Sequence, residues 1–247
     1  MKVLYVTAEC WPFAKTGGLG DVAYALPKAL KKEGVDVRVM MPKYSTIPTY
    51  LKDRLKKVGE FSVDVSWRSQ YCGVEQLELD GVTFYFIDNE YYFKRDVEQS
   101  IYGHGDDAER FVFFTNAVLK SIDKLGFYPD VININDWHTG MLPLYLKEKY
   151  PNDDLFFIIG EDSLNDFDKW YKPDKILEMC SLLVFPRKSL KSLTETIKVV
   201  KEKMNGRIFP ISAPVFRISS TDIRNRVKNG QTVRYMLPEN VRDYINK

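Results

Sequence analysis

The fold is decided by residues 1–42, MKVLYVTAECWPFAKTGGLGDVAYALPKALKKEGVDVRVMMP. The apolar run at 1–7 predicts a first β-strand, and the amphipathic stretch 19–33, ended by Gly34, predicts a helix. A second apolar run at 35–41 predicts the next strand. A strand, a helix and a strand in this order form a βαβ unit, whose two strands are parallel and whose crossover is right-handed.

The same alternation of short apolar runs and longer amphipathic stretches continues along the chain. It predicts an α/β fold in which a Rossmann-like, doubly wound, mostly parallel sheet is covered by helices. Between the parallel elements, alternating residues 58–88 around Asp80-Gly81 predict an inserted β-hairpin. Further helices are predicted at 107–125, 139–150, 189–203 and after Pro238, and further strands at 130–135, 155–159 and 181–185.

The composition of this 247-residue chain is that of an ordinary folded protein, with 45% hydrophobic and 28% charged residues. It has no apolar run of membrane-spanning length, and its first residues lack the order of a signal peptide. We therefore expect a cytoplasmic location and no membrane partner. Cys10, Cys72 and Cys180 are too scattered for a disulfide framework, and with only two histidines no metal site is predicted.

Positive charge is concentrated at the end of the chain. Residues 187–247 hold 14 Lys or Arg against 5 Asp or Glu, although the whole chain has a net charge of only +2. Such a stretch attracts anions, and because no nucleic-acid-binding module accompanies it, we expect a nucleotide phosphate rather than a nucleic acid as ligand. The alternative is a set of solvated helix faces.

The turn between the first strand and the first helix, Lys15-Thr16-Gly17-Gly18-Leu19-Gly20-Asp21, has the composition of a phosphate-binding loop. Glycines there allow backbone N–H groups to approach an anion at the positive end of the helix dipole, and Lys15 adds a full charge. The alternative is that the glycines only allow the chain to reverse tightly.

Five stretches of the first 150 residues resemble bacterial glycogen synthases and plant starch synthases. They are VTAEC at 6–10, PFAKTGGLGDV at 12–22, MPKY at 41–44, YGHGDDAERF at 102–111 and NDWHTG at 135–140. The resemblance implies a retaining glucosyltransferase that moves glucose from ADP-glucose to the end of an α-1,4-glucan, with two Rossmann-like domains facing a cleft. ADP-glucose and an α-glucan are the ligands it implies.

The resemblance also implies site residues. The family's loop for the phosphates and sugar of ADP-glucose is matched by Lys15, Gly17, Gly18, Gly20 and Asp21. The best catalytic candidates are Asp136 and His138, which match positions near the glucose and the acceptor. The residues themselves leave two alternatives open, an N-cap role for Asp136 and a local hydrogen bond for the ring of His138. No counterpart of the family's second domain is recognised after Tyr150.

From residue 151 the chain resembles a different family, the bacterial nicotinate mononucleotide adenylyltransferases. The matching stretches are PNDDLFFIIGEDS at 151–163, KWYK at 169–172, PR at 186–187, ISSTDIR at 218–224 and VRYMLPENV at 233–241. These enzymes join ATP to nicotinate mononucleotide and release pyrophosphate on the way to NAD. ATP, with Mg²⁺, is therefore a second candidate ligand, and no covalently bound cofactor is expected.

The residues that are candidates for binding the ATP phosphates all lie at the start of a predicted helix. They are Ser219, Ser220, Thr221 and Arg224. Hydroxyl and N–H groups at a helix start favour phosphate, and an arginine one turn later can make a bidentate contact. The resemblance places a pyridine nucleotide at Gly160, Asp162 and Trp170. The alternatives are a capping box of Ser219 and Asp222, and a core position for Trp170.

The second family also needs Gly-Gly-x-Phe-Asp at a strand end and His-x-Gly-His at a helix start, and neither is found whole. The nearest match is His138-Thr139-Gly140-Met141, in which methionine cannot donate a hydrogen bond to a phosphate. Phosphoryl transfer relies on such donors, so its rate should fall by orders of magnitude. We interpret this partial match as a coincidence that arises from the first family's own motif.

We interpret the chain as a chimera joined near Tyr150-Pro151. Residues 1–150 form a glycogen synthase-like domain, and residues 151–247 form the distal half of a nucleotidyltransferase-like domain. The halves are expected either to share one continuous sheet or to leave the second half with exposed strand faces. Three functions are ranked in this order: a nucleotide-binding protein without turnover, a glucosyltransferase that needs another chain, and an adenylyltransferase rescued by His138.

Overall fold

The computed structural model of the chain describes residues 1–95, 100–186, 190–213, 220–234, 236–237 and 239–245. The chain divides into two compact units, Met1–Asn152 and Asp153–Lys247. Each unit has a hydrophobic core of its own. Within the described ranges, no helix has both the length and the apolar character needed to cross a membrane.

The first unit contains a twisted set of parallel strands extended by antiparallel ones. Its strands are β1 (Lys2–Val6), β2 (Asp36–Pro42), β3 (Lys56–Val65), β4 (Arg68–Leu79), β5 (Val82–Asp88) and β6 (Val131–Ile134). Its helices are α1 (Gly18–Lys32), α2 (Thr49–Lys52), α3 (Glu90–Phe93), α4 (Asp107–Leu125) and α5 (Leu142–Lys149). The strand order is β3-β4-β5-β2-β1-β6, in which β5, β2, β1 and β6 are parallel. The predicted α/β class is confirmed.

The predicted hairpin is part of a longer antiparallel meander. Asp80 and Gly81, with φ of 51° and 76°, form the turn between β4 and β5, as a two-residue turn of type I′ requires. A second turn at Ser66-Trp67 joins β3 to β4 and was not predicted. Ser66 takes a positive φ of 54° without being a glycine, so the sequence has no turn signal there.

The glycine-rich turn after β1 is anchored to the sheet by Phe13. This side chain is buried, and its ring centroid lies 4.9 Å from that of Phe84 and 4.8 Å from that of Phe86 on β5. Burying a phenylalanine contributes about 1.5–3 kcal/mol. The turn therefore has a fixed place above the carboxyl end of the sheet.

The second unit is built around a short parallel sheet. Its strands are β7 (Phe156–Gly160), β8 (Ser181–Phe185) and β9 (Ile208–Pro210), paired in that order. Its helices are α6 (Glu161–Asn165), α7 (Pro173–Met179), α8 (Leu190–Lys203), α9 (Ser220–Lys228) and α10 (Glu239–Ile245). The described strands therefore form two sheets, and the expectation of one continuous sheet is corrected. β6 pairs with β1, and β7 pairs with β8.

One face of this second sheet is exposed. Alternate residues of the three strands, among them Ile159, Leu182, Val184 and Ile208, form the core together with α6 and α8. On the opposite face four apolar side chains are between 42% and 54% exposed, Phe156, Ile158, Phe185 and Phe209, whereas Ser181 is buried and Leu183 partly buried. Parallel sheets are normally covered on both faces. Four apolar side chains of this face are nevertheless exposed.

Candidate functional site

The candidate site lies at the carboxyl ends of β1 and β6. Helix α1 leads from β1 to β2 on one side of β1, whereas β6 pairs with β1 on the other side, so the strand order reverses between β1 and β6. Ligands of open α/β sheets bind in the crevice at such a reversal. The glycine-rich turn follows β1 and the turn 135–140 follows β6. Both predicted motifs of the first unit therefore flank this crevice.

Glu9 organises the glycine-rich turn from within. This residue is 2% exposed, and its carboxylate accepts hydrogen bonds from the Thr16 N–H (2.5 Å), the Thr16 hydroxyl (2.9 Å) and the Gly17 N–H (3.3 Å). Burial raises the pKa of Glu9, but these hydrogen bonds and one from Tyr102 outweigh it and hold the pKa below its ordinary value. Glu9 is therefore ionised at neutral pH and acts as a fixed anion under the turn.

Tyr102 connects the glycine-rich turn to the end of β6. Its hydroxyl donates a hydrogen bond to Glu9 Oε1 (2.6 Å) and also pairs with the Thr16 hydroxyl. Its ring centroid lies 4.6 Å from that of His138. Tyr102 belongs to one of the stretches that resemble the glycogen synthases, but it is not among the predicted site residues. No local pattern shows that a side chain 93 positions after Glu9 contacts that carboxylate.

The residues predicted to bind ADP-glucose are a charged pair and three glycines. Lys15 and Asp21 form an exposed ion pair with 2.7 Å between Lys15 Nζ and Asp21 Oδ1. Gly17 and Gly18 have open space where a Cβ would stand, and neither has a positive φ. A tight turn therefore does not require glycine at these two positions, and their lack of side chains leaves the start of α1 open to an anion. At Gly20, a Cβ would lie 3.0 Å from the Lys15 side chain.

Asp136 combines a strained backbone with a capping role. Its φ of 66° and ψ of 174° lie in a region that is almost reserved for glycine. Its carboxylate accepts a hydrogen bond from the Trp137 N–H at 2.7 Å, so the N-cap alternative is observed. The residue itself is exposed. A catalytic role for Asp136 stays a prediction.

The strain at Asp136 can be measured with two substitutions. Asp136→Gly should raise the free energy of unfolding by about 1 kcal/mol, because relief of about 1–3 kcal/mol of strain exceeds the few tenths lost when glycine replaces a cap. Asp136→Ala keeps the strain and loses the cap, so it should lower the same free energy by about 1 kcal/mol. Urea unfolding of both variants measures the difference, and equal stabilities would show a relaxed backbone at this position.

His138 is buried without a hydrogen bond. The residue is 2% exposed, and within the described part of the chain neither Nδ1 nor Nε2 has a partner. Its ring stacks on Trp137, with 3.9 Å between centroids and 29° between planes. Burial lowers the pKa of His138, although Asp136 and Glu9 act in the opposite direction, so the ring is neutral at pH 7. The alternative of a ring satisfied by a local hydrogen bond is not observed.

The predicted ATP site of the second unit is described only in part. Ser219 lies outside the described residues, as does any capping box that it forms with Asp222, and the side chain of Ser220 is not described either. Thr221 and Arg224 lie about one turn apart at the start of α9, where Arg224 Nη2 donates a hydrogen bond to Thr221 Oγ1 at 3.4 Å. Phosphate binding by these residues stays a prediction.

The predicted pyridine-binding residues lie around the end of β7. Gly160 is the N-cap of α6, and Asp162 lies in the first turn of that helix. The ring of Trp170 is partly buried, with its centroid 5.2 Å from that of Phe167 and 6.0 Å from that of Phe157. This packing agrees with a structural role for Trp170, and its nucleotide-binding role stays a prediction.

The family profile described as starch synthase catalytic domain matches residues 2–159. The chain belongs to the starch synthase catalytic domain family. Among curated relatives, the glycogen synthase of Clostridioides difficile (strain 630) is 76% identical over 151 residues, and that of Anoxybacillus flavithermus (strain DSM 21510 / WK1) is 58% identical over 156 residues. These alignments cover 61% and 63% of this starch synthase-type chain and 32% of each glycogen synthase. The chain thus spans about a third of the length of these relatives.

A solved structure shows the same fold. The catalytic domain of starch synthase IV from Arabidopsis thaliana, bound to ADP and acarbose, is similar with a TM-score of 0.52 and 25% sequence identity. The similarity covers 76% of this chain and 34% of that one. The mixed α/β architecture with a mostly parallel sheet is therefore that of the starch synthase family.

A second family profile, described as cytidylyltransferase-like, matches residues 118–226. The match begins within α4 and overlaps the starch synthase match over 118–159. It includes the turn from His138 to Met141, so our interpretation of that turn as a coincidence stays a hypothesis. The chain combines a starch synthase-type first part with a cytidylyltransferase-like second part, and the finer assignment to the nicotinate mononucleotide adenylyltransferases stays a prediction.

Proposed function

We propose that the first unit binds ADP-glucose in the crevice between β1 and β6, and that the chain does not complete glucosyl transfer by itself. The observation that carries this proposal is the ring of His138, which is buried with two unpartnered nitrogens. A buried polar group without a partner costs about 1–3 kcal/mol. A sugar hydroxyl that bonds to either nitrogen recovers that free energy, so the site favours a polyhydroxylated ligand.

The charges of the site support one orientation of the ligand. Glu9 is ionised and already engages the two turn amides nearest to it, so a diphosphate is repelled from that part of the turn. The following amides of the first turn of α1 have no partner within the helix and lie at its positive end. We therefore place the diphosphate next to Gly18 and Lys15, and the glucose towards Asp136 and His138.

Lys15→Gln tests the position of the diphosphate. A charge-assisted hydrogen bond contributes about 1.5–3 kcal/mol, so its replacement by a neutral one should weaken ADP-glucose binding about tenfold. Titration calorimetry measures the dissociation constant. The matched control is Lys28→Gln, because Lys28 lies on α1, the helix that follows the turn of Lys15, and pairs instead with Asp80 at 2.7 Å. Equal affinity of both variants and the wild type would contradict this placement.

The proposal of binding without turnover is supported by the extent of the matches. The glycogen synthase alignments cover about a third of each relative, the starch synthase profile ends at residue 159, and the cytidylyltransferase-like profile continues to residue 226. The test is the release of ADP from ADP-glucose in the presence of glycogen. Saturable ADP release by the purified chain would contradict this part of the proposal and favour the glucosyltransferase alternative.

For the second unit we propose a nucleotide phosphate half-site of the nicotinate mononucleotide adenylyltransferase type at the start of α9. It is supported by the cytidylyltransferase-like match, by the basic character of residues 187–247 and by the contact between Arg224 and Thr221. A ligand that binds only the folded state raises the unfolding temperature, so thermal unfolding with Mg²⁺ and ATP, or with nicotinate mononucleotide, tests this half-site. Pyrophosphate release that is abolished by His138→Ala would instead support a complete adenylyltransferase.

A further inference from the structure

The side chain of Asn135 joins the ends of β1 and β6. Its amide Nδ2 donates hydrogen bonds to the Val6 carbonyl (3.0 Å) and to Asn133 Oδ1 (2.9 Å). Its Oδ1 accepts a hydrogen bond from the Tyr5 hydroxyl at 3.1 Å. Burial raises the pKa of Tyr5 to about 12, so this hydroxyl is protonated at neutral pH and acts as the donor. The amide group of Asn135 therefore has all of these partners on or beside the two strands.

Strand β6 has a backbone partner on one side within the described sheet. It has four residues, lies at the edge of the sheet, pairs with β1 and begins at Val131, which is 45% exposed. The last backbone pair between the two strands is Val6 with Ile134. One residue beyond that pair, the side chain of Asn135 makes the next hydrogen bond between the two strands, to the Val6 carbonyl.

The connection continues into the turn that carries His138. The Thr139 hydroxyl donates a hydrogen bond to the Asn135 carbonyl (3.1 Å) and lies 3.0 Å from the Asp136 carbonyl. Asn135 is thus bonded to the β1 end through its side chain and to the following turn through its carbonyl. A displacement of Asn135 would move the whole turn relative to the loop that follows β1.

We propose that Asn135 is a positioning residue, which holds the His138 turn at the end of β6 against the glycine-rich turn at the end of β1. The consequence for ligand binding rests on the proposed function, whereas the effect on the surroundings of His138 does not. Tyr5 assists as the donor to Asn135. The Tyr5 ring is buried and the Asn135 amide N–H groups are used within the protein, so both residues act through His138.

The chain has only two histidines, so the titration of His138 can be followed by NMR in a His104→Gln background. The charged groups that face the ring are Asp136, Glu9, Asp107 and Arg110, and burial is the largest cause of its lowered pKa. In Asn135→Ala the turn should loosen and admit water, so the midpoint should rise towards the ordinary value of 6.5. Tyr5→Phe removes one of the bonds and should cause a smaller rise.

Binding of ADP-glucose gives a second, separate readout. Asn135→Ala should weaken it about tenfold, the effect of losing roughly one well-placed hydrogen bond. The matched control is Asn116→Ala, which removes a single bond from an Asn side chain on α4 to the Asp64 carbonyl at 3.4 Å. The control should change neither the His138 midpoint nor the dissociation constant.

A folded Asn135→Ala protein with the His138 midpoint of the wild type would overturn the proposal. If Asn135→Ala does not fold, the Tyr5→Phe variant tests the proposal, because it keeps the buried ring and removes only the hydroxyl. An unchanged His138 midpoint in Tyr5→Phe would also overturn the proposal. If the wild type binds no ADP-glucose, the proposed function fails, and the NMR midpoints still decide on the role of Asn135.

Discussion

Glu9→Gln is expected to lower the free energy of unfolding of the first unit by about 3 kcal/mol, the cost of removing a buried, hydrogen-bonded charge whose partners remain. Glutamine has the same shape, but one carboxylate oxygen becomes an amide NH₂ group. That group would face either the N–H groups of Thr16 and Gly17 or the hydroxyls of Thr16 and Tyr102. The glycine-rich turn should then loosen, and ADP-glucose binding should be lost. Urea unfolding and titration calorimetry at pH 7 measure the two effects.

The pH dependence of stability tests whether the charge of Glu9 causes the loss of stability in Glu9→Gln. Its folded pKa is lower than the ordinary value of 4.5, so ionised Glu9 stabilises the folded state above that pH. The stabilisation is lost as the pH falls through the lowered pKa. The difference in stability between wild type and Glu9→Gln should therefore shrink in acid. Glu90→Gln, which alters an exposed pair with Lys94, is the control. A difference that stays constant from neutral to acid pH would contradict this role.

His138→Phe is expected to stabilise the protein and to weaken its ligand binding. Phenylalanine keeps an aromatic ring against Trp137 and Tyr102 and removes the two unpartnered nitrogens, which should raise the free energy of unfolding by about 1–2 kcal/mol. The same change removes the proposed contacts to the sugar and should weaken ADP-glucose binding by about tenfold or more. Opposed effects of this kind are typical of functional sites.

His104→Phe is the matched control for this prediction. The His104 ring lies in the loop before α4, and its Nε2 is 2.6 Å from the Ser100 carbonyl, so its replacement removes an existing bond. It should not stabilise the protein and should leave ligand binding unchanged. If His138→Phe instead destabilises the fold, the ring nitrogens are satisfied in solution, for example by buried water. Thermal unfolding of both variants gives the comparison.

Long elements with a strong period were predictable from the sequence. Helix α4 is found over Asp107–Leu125, as predicted, because its apolar residues recur at helical spacing and Gly126, with a φ of 60°, ends it. Helices α6 and α7 and strand β9 were not predicted. They have five, seven and three residues, which is too short for an apolar period to be recognised.

The candidate site was predictable as a set of turns but not as a network. Composition and resemblance indicated the turns that contain Lys15 and His138, because glycines and a strand-to-helix boundary leave local signals. The contact between Glu9 and Tyr102 spans 93 positions, and that between Tyr5 and Asn135 spans 130. Such contacts depend on how strands pair, which a local pattern does not encode. Likewise, a local pattern does not show that the ring nitrogens of His138 are buried without hydrogen-bond partners.

The exposed phenylalanines of the second sheet have a consequence for the cell rather than for the site. Chaperones and proteases act on chains that present apolar surface, and they change the abundance of a protein without altering its ligand chemistry. Phe156, Phe185 and Phe209 offer such a surface while the chain is folded. We therefore expect the steady-state amount of this protein to be governed by its second unit, however tightly the first one holds a nucleotide sugar.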